Sequence, residues 1–179
     1  MKTWRLRSNL WVPRPPGEVF PFFADAHNLE ALTPAWLRFS ILTPAPIPMQ
    51  VGTRIDYRIW LRGIPLRWRT RIARWEPDQA FVDEQLRGPY VLWHHTHTFT
   101  PCDGGTALGD EVILRPKGGP LAGLVMSLFV RRDVQRIFEH RARVMAERFG
   151  GDAATAEVGW VDEASPAPVV TAPRSRTGV

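Results

Sequence analysis

From residue 53 to residue 115 the chain alternates apolar and polar positions with few breaks, the period expected of strands in a sheet with one buried face. A strand over 53–61 puts Ile55, Tyr57, Ile59 and Leu61 on one face, with Arg54, Asp56, Arg58 and Arg62 opposite. Residues 66–75 repeat the pattern, with Leu66, Trp68, Thr70 and Ile72 opposite Arg67, Arg69 and Arg71. Turns at Gly63-Ile64-Pro65 and Pro77-Asp78 separate these from strands over 80–86, 90–100 and 106–115. Upstream, a strand over 4–12 stops at Pro13, Pro15 and Pro16, where a short helix with Val19, Phe22 and Phe23 on one face begins. Pro21 removes one backbone bond from it. A second short helix over 27–32, a strand over 37–43 and a loop over 44–52 complete the first half.

The period then changes to that of a helix over 120–149. Leu121, Leu124, Leu128, Phe138, Met145 and Phe149 form its expected apolar stripe, and Arg131, Arg132, Arg136 and Arg143 its wet side. At 1.5 Å per residue it spans roughly 45 Å, enough to cross a whole sheet. Gly150-Gly151 ends it, and small residues, prolines, Ser and Thr follow. The expectation is one domain over 1–150 and a disordered tail over 151–179.

Composition narrows the function classes. The 179 residues are 44% hydrophobic and 11% aromatic, sufficient for one core. The single cysteine, Cys102, excludes an internal disulfide and a cysteine-built zinc site. The N-terminal residues show no signal-peptide apolar region, and the apolar stretch near 121–130 is too short to span a bilayer, so a cytoplasmic location is expected. A net charge of +5 raises nucleic acid and anionic lipid as partners. The arginines alternate with apolar residues instead of forming a run, which fits the wet face of a hairpin. No nucleic-acid partner is expected, and transient contact with an anionic membrane stays open. Gly118-Gly119 before a helix carries neither a Walker spacing nor a dinucleotide fingerprint, and no cofactor is expected.

The most informative stretch is Trp93-His94-His95-Thr96-His97-Thr98-Phe99. Alternation places Trp93, His95, His97 and Phe99 together on the inner face. Asp103-Gly104 is a two-residue turn signal, and pairing Cys102 with Gly105 sets His97 opposite Asp110. Asp110 shares its face with Leu108, Val112 and Leu114, so a carboxylate sits in an apolar row and needs a partner. Three readings follow: a satisfied structural pair, a pair that orients ligand oxygens, or an acid/base dyad with His97 as proton carrier and Asp110 as its orienter. Register across Arg87-Gly88-Pro89-Tyr90 is ambiguous by one residue; Phe81 favours Asp83 and Gln85 inward over Glu84. His95, His97 and a carboxylate make a known ligand type, but two strand histidines two apart are common without a metal, and none is expected. Tyr57 and Trp68 are placed near the ligand; the 44–52 loop and the Gly63 turn are candidate gates.

The order β-α-α-β6-α, seven strands in all, together with Pro16-x-x-Val19-Phe20, Phe22-Phe23, Asn28-Leu29, Leu32-Thr33-Pro34, Phe81-Val82-Asp83-Glu84-Gln85, Gly88-Pro89-Tyr90, Trp93-x-His95-x-His97-x-Phe99, Gly119-Pro120-Leu121, Phe129-Val130 and Ile137-Phe138, resembles the START-like or SRPBCC superfamily over residues 4–149. The resemblance implies an α+β helix-grip fold, a seven-stranded antiparallel sheet wrapped around a long C-terminal helix with a pocket between them. It does not imply one reaction. The expected function is binding or transport of an apolar small molecule: a lipid, an isoprenoid or quinone, or a polyketide-like aromatic. The alternative is a cyclase or dehydratase using the His-Asp pair. The expected ligand contacts are Tyr57, Trp68, Asp83, Gln85, Trp93, His95, His97, Phe99, Asp110 and Leu128, with His97 and Asp110 as the catalytic candidates.

Overall fold

In the computed structural model, which describes residues 2–162, the first strand, β1 (Trp4–Val12), alternates buried Leu6, Ser8, Leu10 and Val12 with more exposed neighbours. Pro16 then opens α1 (Pro16–Ala24), where a missing N–H costs nothing in the first turn. Asp25 caps a 3-10 turn, Ala26–Leu29, by accepting from the His27 N–H at 2.9 Å. A second such turn, Ala35–Leu37, leads to β2 (Ser40–Ile41), so most of the strand expected over 37–43 is turn and loop.

Five long strands follow: β3 (Arg54–Leu61), β4 (Ile64–Glu76), β5 (Ala80–Arg87), β6 (Tyr90–Cys102) and β7 (Gly105–Pro116). The turn between β3 and β4 is Arg62-Gly63 alone, with φ of 52° and 82°, and not Gly63-Ile64-Pro65 as expected. Two residues at positive φ match the twist of the flanking strands. Pro65 is tolerated inside β4 because β5 pairs with β4 only from Arg69 onward, leaving no neighbour on that edge at Pro65. Asp103 and Gly104, with φ of 48° and 76°, make the same kind of turn and set Cys102 opposite Gly105 and His97 opposite Asp110.

Among the described residues the sheet has eight strands, in the order β2-β3-β4-β5-β6-β7-β1-β8. The expected seven is corrected by β8 (Glu157–Val161), which comes from the stretch read as tail and pairs antiparallel with Arg5–Asn9 of β1. The physical reason is the edge: without it β1 would present its unpaired N–H and C=O groups to solvent. Val158 and Trp160 also pack on the core. Residues 163–179 of the expected tail lie outside the described residues.

The C-terminal helix runs from 119 to 149 as a 3-10 turn, α2 (Ala122–Val125), a π-helical turn (Met126–Val130) and α3 (Arg131–Phe149). Gly150, at φ 77°, closes it in the left-handed conformation. The apolar stripe is corrected in its first half, where Leu121, Leu124 and Leu128 are exposed and Met126 is buried instead. The π turn carries the buried line from Val134 through Val130 to Met126 in steps of four and leaves those leucines off it. Among the described residues no helix is long and apolar enough to cross a membrane.

The core forms two apolar clusters. One gathers Leu10, Val12, Val19, Phe20, Phe22, Phe81, Phe99 and Met145, and the other Leu6, Ile59, Trp68, Tyr90, Val112, Leu114, Met126, Val134 and Phe138. A chain ended after Gly150 should lose about 2 kcal/mol or more through the exposed apolar contacts of Val158 and Trp160, and should self-associate through the bared edge of β1. Urea denaturation and light scattering check both; an unchanged midpoint with a monomeric product would make β8 dispensable.

Candidate functional site

Between the two apolar clusters the inner face turns polar. Strands β5, β6 and β7 contribute Asp83, His95, His97 and Asp110, all directed inward by the alternation, and α3 contributes Arg141. His95 and His97 are 6% and 3% exposed, and Arg141 is 7% exposed.

Each imidazole bridges both carboxylates. His95 Nδ1 lies 3.3 Å from Asp83 Oδ2 and its Nε2 lies 2.9 Å from Asp110 Oδ1. His97 Nε2 is 3.0 Å from the same Asp83 Oδ2, and its Nδ1 is 2.9 Å from the same Asp110 Oδ1. The two rings face each other with centroids 3.7 Å apart. Phe81 stacks on His97 at 3.8 Å, and Phe138 meets His95 edge-on at 5.2 Å. Arg141 closes the group, with a terminal nitrogen 3.0 Å from His97 Nδ1 and Nε 3.3 Å from Asp110 Oδ2.

These contacts fix the charges. Burial pushes the Asp83 carboxyl up, but the charge of His95 and hydrogen bonds from both imidazoles together outweigh it and hold it far below the usual carboxylate range. Asp110 is likewise pushed up by burial, and held well below by the Arg141 guanidinium together with hydrogen bonds from both imidazoles. His95 is disfavoured as a cation by burial but raised overall by Asp83 and Asp110. His97 is lowered, first by burial and then by the charge of His95. The two carboxylates and the Arg141 guanidinium therefore hold opposite charges in contact, and the carboxylates favour a proton on His95 over one on His97. Burial and the Asp83 charge also keep the Tyr57 phenol well above its ordinary range.

Asp83, His95, His97 and Arg141 form one wall of a cavity of about 170 Å³ between the sheet and α3. The remainder of the lining is mainly apolar: Ile55, Ile59 and Ile72 from the sheet, Val134, Ile137 and Phe138 from α3, and Leu29 and Leu32 from the segment after α1. Trp68 also lines it and keeps a buried indole N–H without a partner among the described residues.

Of the sequence-predicted contacts, Tyr57, Trp68, Asp83, Trp93, His95 and His97 meet at this cavity. Four others do not. Gln85 closes the β5–β6 hairpin, donating from Nε2 to the Tyr90 carbonyl at 2.8 Å and accepting from the Tyr90 N–H at 3.2 Å. Phe99 packs into the first cluster against Phe20 and Phe23. Asp110 stands behind the imidazoles, on a small void of about 20 Å³. Leu128 is 58% exposed on the turned-away side of the helix. The expected arrangement of His97 with Asp110 is present, but as part of a four-cornered group and not as a separate dyad.

Sequence reasoning missed Arg141. Its signal was there: steps of four, three and four from Val134 through Phe138 and Arg141 to Met145 put it on the buried stripe. On the outer face, Arg69 pairs with Asp56 at 2.8 Å and Arg71 with Glu84 at 2.8 Å, as a wet, charge-laced surface requires.

A family model described as polyketide cyclase / dehydrase and lipid transport matches residues 12–140. Among solved structures, TTHA0849 of Thermus thermophilus is 20% identical at a TM-score of 0.61, covering 84% of this chain and 99% of that one. CV1439 of Chromobacterium violaceum is 16% identical at 0.63, covering 83% and 99%. A START superfamily protein of Mycobacterium smegmatis is 13% identical at 0.57, covering 82% and 97%. At these identities the likeness shows the helix-grip fold alone. No curated protein sequence gives a significant match.

A carboxyl whose folded pKa lies below its unfolded value, about 3.9 for Asp, adds stability above that value and loses it as pH falls through the folded pKa. Arg141→Met removes the charge that helps depress Asp110. It should cost about 3–5 kcal/mol at neutral pH, the range for leaving one partner of a buried ion pair alone, and move acid unfolding to higher pH. Urea midpoints measured across pH 2 to 7 check it; parallel curves for variant and parent would remove Arg141 from the charge balance.

Proposed function

This chain belongs to the polyketide cyclase / dehydrase and lipid transport family, and from that premise we propose that it binds an apolar, ring-containing small molecule through a hydroxyl or enol group in the cavity between the sheet and α3. The family's described activities both act on hydrophobic molecules, which supports hydrophobic ligand binding in general.

The observation that carries the finer reading is an unsatisfied donor and a buried acceptor lining one mainly apolar chamber. Trp68 offers an indole N–H with no partner among the described residues, and the Asp83 carboxylate lines the same cavity, with both its imidazole contacts on Oδ2. A hydroxyl both donates and accepts, so it is suited to meet both kinds of group, whereas a pure hydrocarbon would leave the Trp68 donor unpaired. Size narrows the class further. About 170 Å³ is the room of a single aromatic ring, since a dry cavity of about 150 Å³ takes benzene. A phenolic or enolic ring, as in polyketide-like aromatics and quinols, fits both demands better than a fatty acyl chain.

A second reading, a cyclase or dehydratase that moves a proton between ligand and imidazole, is favoured by one observation: His95 and His97 both line the cavity. Binding comes first in either case, and turnover separates the two.

Native mass spectrometry of the purified protein beside its denatured extract tests the binding reading, followed by titration with single-ring phenols while tryptophan emission is recorded. Trp68 and Trp93 line the cavity, so occupancy should quench or shift that emission. Val134→Phe, which projects a ring into the cavity at an overpacking cost of about 1–3 kcal/mol, should abolish binding in a protein that still unfolds cooperatively. Equal affinity in this variant and the parent would place the ligand elsewhere.

A further inference from the structure

The four imidazole–carboxylate contacts cannot all be made with protons. Asp83, His95, Asp110 and His97 form a ring of four N···O contacts at 3.3, 2.9, 2.9 and 3.0 Å. Each needs one N–H. Two neutral imidazoles supply two, and one imidazolium raises the total to three. Filling all four would demand two imidazolium rings with centroids 3.7 Å apart, beside the Arg141 guanidinium. Three contacts can thus carry an N–H, and the fourth nitrogen, His97 Nδ1, instead faces the Arg141 terminal nitrogen at 3.0 Å, which can only donate to it.

We propose that Asp83, His95 and His97 bind a divalent first-row transition-metal ion, with Asp110 as the outer carboxylate that orients both histidines. The inference rests on the cavity being a ligand site, because the ion would stand at the cavity wall. Asp83 Oδ2, His95 Nδ1 and His97 Nε2 converge, each within 4.8 Å of the others, on side chains that all line the cavity. With metal–ligand bonds of about 2.1 Å, the 3.0 and 3.3 Å separations correspond to ligand–metal–ligand angles of roughly 90–105°, within the range of octahedral to tetrahedral sites.

The second shell fits as well as the first. A metal-bound imidazole stays neutral and keeps one N–H, which it usually donates to a carboxylate. Here the nitrogens on the far sides, His95 Nε2 and His97 Nδ1, both lie 2.9 Å from Asp110 Oδ1. Replacing the protons on the Asp83 side by one cation leaves two neutral histidines, each with its remaining N–H on Asp110, and every contact of the ring is satisfied. For His97 Nδ1 to keep its N–H on Asp110, Arg141 gives up the 3.0 Å contact it makes to that nitrogen and pairs with Asp110 alone, through the Oδ2 that its Nε already approaches at 3.3 Å.

The charge balance names the ligand chemistry. A divalent ion and Arg141 against two carboxylates leave one positive charge at an apolar cavity wall. That suits a single oxygen anion, the phenolate or enolate form of the ring proposed above. Two histidines and one carboxylate leave coordination positions open to receive it.

Metal-stripped full-length protein titrated with Co²⁺ tests the proposal. One equivalent should bind with visible d–d absorption and produce hyperfine-shifted proton resonances, among them two solvent-exchangeable imidazole N–H signals. His95→Gln and His97→Gln should each weaken binding at least 100-fold, and Asp110→Asn by 10–100-fold, the usual effect of an outer-shell partner. His94→Ala, on the outer face, should bind as the parent does. A folded parent that shows neither bands nor shifted signals overturns the site without needing any variant, as does Co²⁺ binding that survives His95→Gln. Quenching of tryptophan emission by a phenolic compound in the metal-free protein is read separately. Ligand without metal sinks only this inference, and metal without ligand sinks only the binding reading.

Discussion

Two carboxylates placed on the inner face of a sheet must be neutralised before any apolar element can close over them, and the way Asp83 and Asp110 are neutralised ties the halves of this fold together. The sheet supplies both acids and both histidines, while Arg141 comes from α3. Apolar packing alone is non-directional and would tolerate some sliding of the helix along the sheet. A guanidinium that must meet both His97 and Asp110 is directional. With Arg141 so placed, Phe138 one turn earlier meets the edge of His95, and Met145 one turn later enters the cluster around Phe20 and Phe99. Ser8 of β1, paired opposite Asp110, marks the same polar level on the neighbouring strand. The two apolar clusters are thus held in register by the polar group between them.

Much of this was legible because strand alternation and hairpin register are arithmetic. Period two placed Trp93, His95, His97 and Phe99 on one face, and a two-residue turn at Asp103-Gly104 set His97 opposite Asp110. Phe81 resolved the β5 ambiguity in favour of Asp83, which pairs opposite His95. The hydrogen-bond partners were less legible. Being opposite in register does not decide which side chain an imidazole reaches, and each histidine here touches an acid on either neighbouring strand. Arg141 escaped notice because arginines on a helix are ordinarily its wet side. Its place on the buried stripe was the signal.

The helix and the chain's later residues show where periodicity runs out. Leu121, Leu124 and Leu128 share a helical spacing with Phe138, but spacing presumes a constant turn, and the π turn over Met126–Val130 breaks that assumption. Similarly, Gly150-Gly151 does end the helix, yet a helix stop says nothing of whether the chain returns. Strand β8 is short and has Gly159 at its middle, which weakens its own pattern, and it is called into place by the open edge of β1. Elements that owe their structure to a distant partner leave a faint local trace.

The same polar group also limits what the cavity can accept. Its imidazole hydrogens are directed at carboxylates, so under the binding reading proposed above the lining offers a ligand the Asp83 carboxylate among its acceptors and the Trp68 indole among its donors. A carbonyl alone could use the indole but would set its oxygen against a carboxylate if it approached Asp83. A carboxylic acid would have to give up its charge or confront that of Asp83. The proposed hydroxyl on an unsaturated ring can both donate and accept, and its apolar body suits a lining that includes Ile55, Ile59 and Phe138. Discrimination of this kind rests on leaving buried polar groups unpaired for the wrong ligand, which is the strongest selectivity an apolar cavity can have.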